Sequence, residues 1–435
     1  MAPAESGGIA EPGGSLTVPA LAARHDFLRR HNFGVVLQTI GASGPLSRAQ
    51  LAVETGLTKA TVSQLAERLM AVGLLTELEP SRGAVGRPGS PLTVNRDGVV
   101  GIGVEIAADY VAVCAVDLAG DVVSHVVERR DNRGVPPTLV VDAAAVLVRT
   151  LRAELRRAGR AALAMSIAVP GLVEAGQTVR LAPNLPGWAD LPIAARLAAA
   201  LAADGGDAEG PGADLQIDAE NEANLAAMAE LWYGRRAGRD FVHVSGEIGV
   251  GGGVVVDGTL FRGVRGFAGE LGHVTVDADG PVCGCGSLGC VEQYAGQDAL
   301  LRAAGVSGES ATRDGAADGP VHELVRRAQA GDDRTLQALA SAGSALGIAV
   351  SAVVNVLDVP TVVLGGIYAA LAPWLEAPIV TEIRRRVLAD HWDPVRVVVS
   401  TLGTQAAVRG AAGVCVDRVL RDPVSYFPAL QMTEA

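Results

Sequence analysis

Through the first twenty residues, apolar and polar positions follow no period. The stretch is Gly, Pro, Ala and Ser, and 1–20 is expected to be a disordered tail. From Arg24 to Gly41 apolar residues fall at helical spacing, at Phe27, Leu28, Val35, Val36 and Ile40. Pro45 and Ser47 punctuate. Ser47-Arg-Ala-Gln50 has the form of a capping box, in which each side chain satisfies the other residue's free backbone donor, and it opens a second helix through Leu51, Ala52 and Val53. Gly56 ends that helix. Thr58 is placed to cap a third, Lys59 to Val72, with Val62, Leu65, Leu69 and Met70 on its buried face. Leu74 to Leu78 and Leu92 to Val94 then read as short strands around a Gly-, Arg- and Pro-rich wing from Pro80 to Pro91. Residues 21–97 therefore predict a winged helix-turn-helix.

Beyond residue 97 the pattern changes. Val99 to Val116 alternates Val, Ile and small residues as buried strands do, and Asp117 to Gly120 makes a hairpin turn. Leu163 to Val169, Phe241 to Val244, Val254 to Val256 and Pro360 to Leu364 are further strands. Asp142 to Gly159, with Leu147, Leu151 and Leu155 on one face, Glu220 to Tyr233, and Leu336 to Val356 are helices. Gly365-Gly366 reads as a turn, and Ser307 to Pro320 as a polar loop. Strands alternating with helices predict an α/β body over 98–435.

Charge refines this division. The chain carries a net −12, which by itself argues against nucleic acid. Residues 21–97, however, hold nine Lys/Arg against six Asp/Glu, while 98–435 hold 27 against 40. A basic head on an acidic body directs DNA to the head. On the third helix Lys59, Ala60, Thr61, Ser63 and Gln64 are small or polar and cluster in the first turns, where a recognition helix meets base edges. Arg87, in Gly86-Arg87-Pro88, is placed to reach a minor groove. Lys59 is the only lysine, a base-composition bias shared with the abundant Ala and Gly. No apolar run reads as long enough to span a membrane, and no secretory signal pattern opens the chain.

Candidate chemistry concentrates between Glu270 and Glu292. Of five cysteines, Cys283, Cys285 and Cys290 fall within eight positions, and His273 precedes them. One His and three Cys complete a tetrahedral ligand set for structural zinc, with Gly284, Gly286 and Gly289 supplying positive φ angles for the knuckle. A disulfide competes less well, because adjacent-but-one cysteines pair with strain and three leave one over. Reduced cysteines fit a cytoplasmic protein. Glu270 and Glu292 bracket the knuckle, which can hold them with His273 as a polar wall for a hydroxyl-rich ligand.

Glu270-x-x-His273 followed by Cys283-x-Cys285-Gly-x-x-Gly-Cys290-x-Glu292 resembles the signature of the ROK family of bacterial repressors and sugar kinases, and every position is present. The resemblance covers nearly all of 98–435. It implies an actin/hexokinase-type body of two subdomains with a cleft between them. It also implies zinc on the His and three Cys, and sugar contacts from both Glu and the same His. ROK repressors carry a winged helix at the N-terminus and ROK kinases do not.

Family segments mark the rest of the cleft. Ala182 to Trp188 resembles the sugar-side loop, which makes Asn184 a candidate contact. Glu220-Asn221-Glu222-Ala-Asn224 resembles Glu-Asn-Asp-Ala-Asn, in which the kinases' Asp is the general base; here it is Glu222, one methylene longer, and a misplacement of ~1 Å can cost ~100-fold. Asn221 and Glu222 remain candidate sugar contacts. Where the kinases hold phosphates on Asp-x-Gly-Gly-Thr, this chain has Glu105-Ile106-Ala107-Ala108-Asp109. Where they have Gly-Thr-Gly, it has Gly246-Glu247-Ile248. Acidic residues there oppose phosphoryl transfer, which depends on stabilising negative charge.

Two expectations follow. The first is a sugar-responsive transcriptional regulator, usually a repressor, without catalytic residues; its partners are operator DNA, a monosaccharide or sugar-derivative effector, and further copies in a homodimer or homotetramer. The alternative is an ATP-dependent sugar kinase that carries a DNA-binding head.

Overall fold

In the computed structural model of the chain, residues 25–79, 90–174, 177–203, 215–306 and 319–431 are described. The expected tail 1–20, the wing tip with Arg82 and Arg87, and nearly all of the polar loop from Ser307 lie outside them.

The head follows its local signals. Helix α1 spans His25–Ser43, α2 Arg48–Thr55 and α3 Lys59–Ala71. The capping box forms: Gln50 N–H donates to Ser47 Oγ at 3.3 Å and Ser47 N–H to Gln50 Oε1 at 3.0 Å. Gly56 takes φ 71° after α2, and Thr58 Oγ1 accepts from Thr61 N–H at 3.1 Å. Strands β1 (Leu75–Glu77) and β2 (Leu92–Val94) pair antiparallel. One expectation fails in α1. Phe27 and Leu28 are exposed, because the buried face is instead Phe33, Val36, Leu37 and Ile40, a full helical repeat one turn further on.

The body is built twice on one plan. In the first lobe β3 (Val99–Ile106), β4 (Tyr110–Asp117) and β5 (Val122–Arg129) form an antiparallel meander. Helix α4 (Pro137–Arg157) leads to β6 (Ala161–Val169), parallel to β3. A small sheet of β7 (Leu172–Glu174), β8 (Thr178–Leu181) and β9 (Ala189–Leu191) follows. Then α5 (Ile193–Ala202) leads to β10 (Gln216–Asn221), parallel to β6, for an order β10-β6-β3-β4-β5.

After α6 (Glu222–Tyr233), the second lobe repeats the meander with β11 (Phe241–Gly246), β12 (Val250–Val256) and β13 (Thr259–Leu260). Helices α7 (Glu292–Ala295), α8 (Gln297–Ala304), α9 (Gly319–Gln329) and α10 (Asp333–Leu357) intervene before β14 (Thr361–Gly366), parallel to β11. Helix α11 (Ile367–Arg386) and β15 (Arg396–Val399) complete the order β13-β12-β11-β14-β15. Helix α12 (Ala406–Arg421) then returns to the first lobe.

Several expectations are corrected. Helix α4 starts at Pro137, five residues early, with the proline ring pre-set for a first helical turn. Glu220 and Asn221 close strand β10 and do not open the helix, since β10 pairs with β6 through a non-local ladder. Gly365-Gly366 end β14 and are not a free turn, and Gly251 to Gly253 lie inside β12. A Cβ at Gly251 or Gly253 would stand 2.7 Å from Ala223 Cβ or 2.6 Å from Ala227 Cβ, so these glycines let α6 lie directly on the strand. Helix α10 is long and apolar enough to cross a membrane, against the reading that no run is. Its apolar residues, among them Leu339, Leu346 and Val350, are buried in the second lobe's core with Leu371, Leu375 and Ile379 of α11.

Head and body share a core. Phe33, Val36, Leu37 and Leu69 pack in one cluster with Ala112, Cys114 and Val116 of β4 and Val408, Ala412, Val416 and Val419 of α12. A Cβ at Gly34 would overlap the Arg421 carbonyl, so α1 lies against the end of α12 without a gap. Arg30 pairs with Asp422, and Arg68 of α3 donates to the carbonyls of Ala429 (3.0 Å) and Leu430 (2.9 Å) in the C-terminal segment.

Candidate effector cleft and metal centre

The Cys segment folds as a tight knuckle. Cys283 N–H donates to Ser287 O at 2.8 Å and Gly286 N–H to Cys283 O at 2.9 Å. Gly286 (φ 92°) and Gly289 (φ 60°) take positive φ; Gly284 does not, since the turn needs only the two. One ligand atom each from His273, Cys283, Cys285 and Cys290 lies within 4.8 Å of all the others. Cys285 Sγ stands 3.7 Å from Cys290 Sγ, and Cys283 Sγ 3.7 Å from His273 Nδ1. A tetrahedron with metal–sulfur bonds of about 2.3 Å has edges of about 3.8 Å, so the four groups fit one thiophilic ion. All five cysteines are free thiols.

Asn184, Asn221, Glu222, Glu270, His273 and Glu292 all line one cavity of about 300 Å³ between the lobes. Each is placed by a different local device. The 182–188 loop is closed by Ala182 N–H to Trp188 O (3.1 Å) and by the buried Trp188, which presents Asn184. Asn221 caps α6: its Oδ1 accepts from Ala223 N–H (2.9 Å) and Asn224 N–H (3.2 Å), and its Nδ2 donates to Gly171 O (2.9 Å). Its Oδ1 is thus committed to the fold, while Nδ2 keeps a second hydrogen for the cavity. Glu222 opens α6. Glu270 and His273 flank a short 3₁₀ turn after Gly269, whose φ of 103° and close crossing with Gly252 leave no room for a side chain. Glu292 Oε2 accepts from Val250 N–H at 3.2 Å, and its Oε1 lies 3.8 Å from Cys283 Sγ, so the knuckle and the wall are one unit.

Gly249 is a functional position that motif reasoning missed. A Cβ there would overlap Glu292 Oε2 and come within 2.5 Å of Asn184 Nδ2. It is the point at which the two lobes' candidate ligands converge. The Gly-Val-Gly run was visible in the sequence, but nothing local distinguished it from the glycines that follow. Ser287 also lines the cavity.

Beyond Glu222 the cleft turns acidic. The β3–β4 turn carries Ala107, Ala108 and Asp109 and is strapped by Asn132, whose Nδ2 donates to the carbonyls of Ala107 (2.7 Å) and Tyr110 (3.1 Å). Glu105, Glu222 and Glu247 border one small hollow with Ser245 and Thr404. Burial pushes Glu105 up to about 7, opposed by the Tyr110 hydroxyl at 2.6 Å. Burial, reinforced by Glu105, Asp109 and Glu292, pushes Glu222 up to about 8. Burial first, then Glu222 and Glu105, lifts Glu247 well above the carboxylate range, and burial lifts Asp109 too. Glu105, Glu222 and Glu247 face one another with no Arg or Lys among the described residues bordering the hollow, whereas Arg129 and Arg133 pull Asp109 back down.

On the head, Lys59, Ala60 and Gln64 are exposed at the start of α3, with Thr61 and Ser63 half-buried. The Thr61 hydroxyl lies 2.8 Å from that of Thr58, so it serves the cap as well as the surface.

Residues 101–418 match the ROK family and residues 35–84 the MarR family. Over 399 residues the chain is 27% identical to the xylose repressor of Bacillus subtilis (strain 168), covering 92% of this chain and 98% of that protein. It is 30% identical over 325 residues to a glucokinase of Streptomyces coelicolor, covering 72% of this chain and 96% of that enzyme. The likeness to the repressor thus takes in more of the chain than the likeness to the kinase. Among solved structures, a ROK family transcriptional regulator described as a homologue of the E. coli Mlc protein superposes with a TM-score of 0.74 at 22% identity, over 93% of this chain and 99% of that one. At that identity the likeness is one of fold.

Proposed function

We propose, because this chain belongs to the ROK family, that it is a sugar-responsive transcriptional repressor and not a sugar kinase. Residues 21–97 bind operator DNA, with Lys59, Ala60, Thr61, Ser63 and Gln64 toward the major groove and Arg87 toward a minor groove. Residues 98–435 bind a monosaccharide between Asn184, Asn221 and Glu222 on one side and Glu270, His273 and Glu292 on the other. Zinc on His273, Cys283, Cys285 and Cys290 is structural: when bound, it fixes the knuckle and does no chemistry on the ligand. Two heads are needed for two half-sites, so a homodimer or homotetramer is the working form.

The observation that carries this reading is the run of α12. Ala406 and Ala407 at its start border the hollow between Glu105, Glu222 and Glu247, and Arg421 at its end lies against Gly34 of the head. Its 16 residues span roughly 24 Å. Lobe movement about an occupied cleft therefore reaches the head through one helix and one shared core. Support against phosphoryl transfer comes from Ala107, Ala108, Asp109 and Glu247. No glycine pair opens the hairpin to a phosphate, and carboxylates stand where negative charge would develop.

Selection of bound fragments from random DNA by the full chain tests the reading. One enriched, two-fold-symmetric sequence is expected, bound less tightly as salt rises because phosphate neutralisation releases counterions. With ATP, magnesium and a bound sugar, turnover is expected to be undetectable. No enrichment, or robust sugar phosphorylation that is lost in Glu222→Ala, would move the protein to the kinase reading.

A further inference from the structure

We infer that strand β5 is a docking edge for a second copy of this chain. The two β5 strands pair antiparallel, and the two first-lobe sheets run on as one. This rests on the reading that the regulator works through paired heads, and it names the surface that pairs them. In the first-lobe sheet β5 lies at the end of the order, with β4 as its one partner among the described residues. From Ser124 to Arg129 its pairing with β4 is regular; the irregularity falls before Ser124. The outer side of this stretch therefore holds backbone N–H and C=O groups in ladder geometry with no strand to receive them, which makes it a template for another strand.

The side chains suit a copy of the same strand. Val122-Val-Ser-His-Val-Val127 contains no carboxylate, Lys, Arg or Pro, the residues with which proteins commonly blunt an exposed edge. Val126 and Val127 are 41% and 46% exposed. The charges of the segment, Glu128, Arg129 and Arg130, gather at one end. Antiparallel pairing keeps the two charged ends apart. With the two-fold axis at Val126, that valine meets its own copy and Ser124 lies beside the second copy's Glu128, whose carboxylate can accept the serine hydroxyl. An axis at His125 or at Val127 would lay Glu128 against a valine instead.

The position of the head points to the same partner. The head shares a core with Ala112, Cys114 and Val116, which alternate along β4 and so stand on one face of the sheet. A two-fold axis perpendicular to the sheet leaves both heads on that face, as binding to one duplex requires. Arg96, at the end of the head, bonds Asp121 just ahead of β5 at 2.7 Å. With the axis at Val126, Asp121 and its copy stand about ten residues apart along the paired strands, or roughly 30 Å. Half-sites one helical turn apart are separated by about 34–36 Å, so the two attachment points match that spacing.

Cysteine cross-linking of the full-length, zinc-loaded chain tests this. In Val126→Cys the two thiols face one another across the axis at a Cβ separation of about 4.5–5.5 Å, which a small adjustment brings within disulfide reach. In Val122→Cys, at a residue 40% exposed, the copies stand some eight residues apart, roughly 27 Å. Under oxidised glutathione, Val126→Cys is expected to give at least ~10-fold more linked dimer than Val122→Cys or wild type on non-reducing gels. Val126→Lys sets two like charges against each other and is expected to weaken self-association about tenfold or more by sedimentation, with an unchanged melting temperature. Wild-type protein that associates, yet shows no preference for the cross-link at 126 and no loss in Val126→Lys, overturns the inference and leaves paired heads in place. Wild-type protein that sediments as a monomer, with and without its selected DNA, removes paired heads and the β5 interface together.

Discussion

At the knuckle end of the cleft, carboxylates stand next to donors: Glu292 takes the Val250 N–H, Glu270 lies 4.0 Å from His273 Nε2, and Asn184 converges on the same point over Gly249. At the hairpin end, Glu105, Glu222 and Glu247 stand mainly next to one another, and burial holds these three above the usual carboxylate range; burial raises Asp109 too, against the pull of Arg129 and Arg133. The first arrangement suits a ligand that brings hydroxyl hydrogens. The second is hostile to the anions a kinase must hold. On the proposed reading, one fold keeps binding and loses transfer through a handful of residues, since phosphoryl transfer is mostly positioning and charge stabilisation.

The largest expected effect breaks the knuckle end alone. Structural zinc contributes apparent binding energies of about 10–16 kcal/mol in small metal-dependent folds. Cys285→Ala is expected to drop metal content from about one zinc per chain, as one ligand set implies, to near none, and to lower the melting temperature and abolish sugar binding. Elemental analysis of freshly reduced protein beside a thermal melt checks this; wild-type protein without zinc contradicts it.

Gly249→Ala probes the convergence point without touching a ligand. The added methyl overlaps Glu292 Oε2, so one charge-assisted contact must give way, at about 1.5–3 kcal/mol or roughly 10–150-fold in sugar affinity. Calorimetry on the variant reads it. Unchanged affinity would place the ligand elsewhere.

A smaller effect sharpens the hairpin end. Glu222 ionises at 4.5 in its ordinary state and at about 8 in the fold. Between those values the native state holds a proton that the unfolded chain has released, so stability falls as pH rises through this window. Glu222→Gln removes the group. Its melting temperature is expected to gain on wild type progressively from pH 5 to pH 8, with little difference at pH 4. Parallel melts across that range check it, and a constant offset would show that Glu222 is not held protonated.

The parts of this account that were legible in the sequence are those carried by local chemistry. Ser47 with Gln50, Gly56 and Thr58 cap or end their helices within four residues of themselves, and the four metal ligands close over a span of eighteen. What was not legible depends on distant partners. Phe27 and Leu28 fit the helical period but lie beyond the surface that α12 covers. Glu220 looks helical until β10 is paired with β6. That Gly251 and Gly253 lie in a strand directly under α6 shows only once α6 is laid on them, and α10 reads as any long apolar helix until α11 covers it. Asn221 was placed at the cleft by its motif, yet its Oδ1 is spent capping α6 and only Nδ2 is left for a ligand, which depends on where Ala223, Asn224 and Gly171 lie.

The claim that the cleft governs the head is tested most directly by operator affinity, measured with and without the bound free sugar, for wild type and Glu270→Ala. Wild-type affinity is expected to fall about 5–150-fold with sugar, the usual range of coupling, and sugar affinity to fall by the same factor on operator-bound protein. Glu270→Ala is expected to bind the operator as wild type does and to ignore the sugar. An undiminished sugar response in Glu270→Ala would contradict the account, as would wild-type affinity that the bound sugar leaves unchanged.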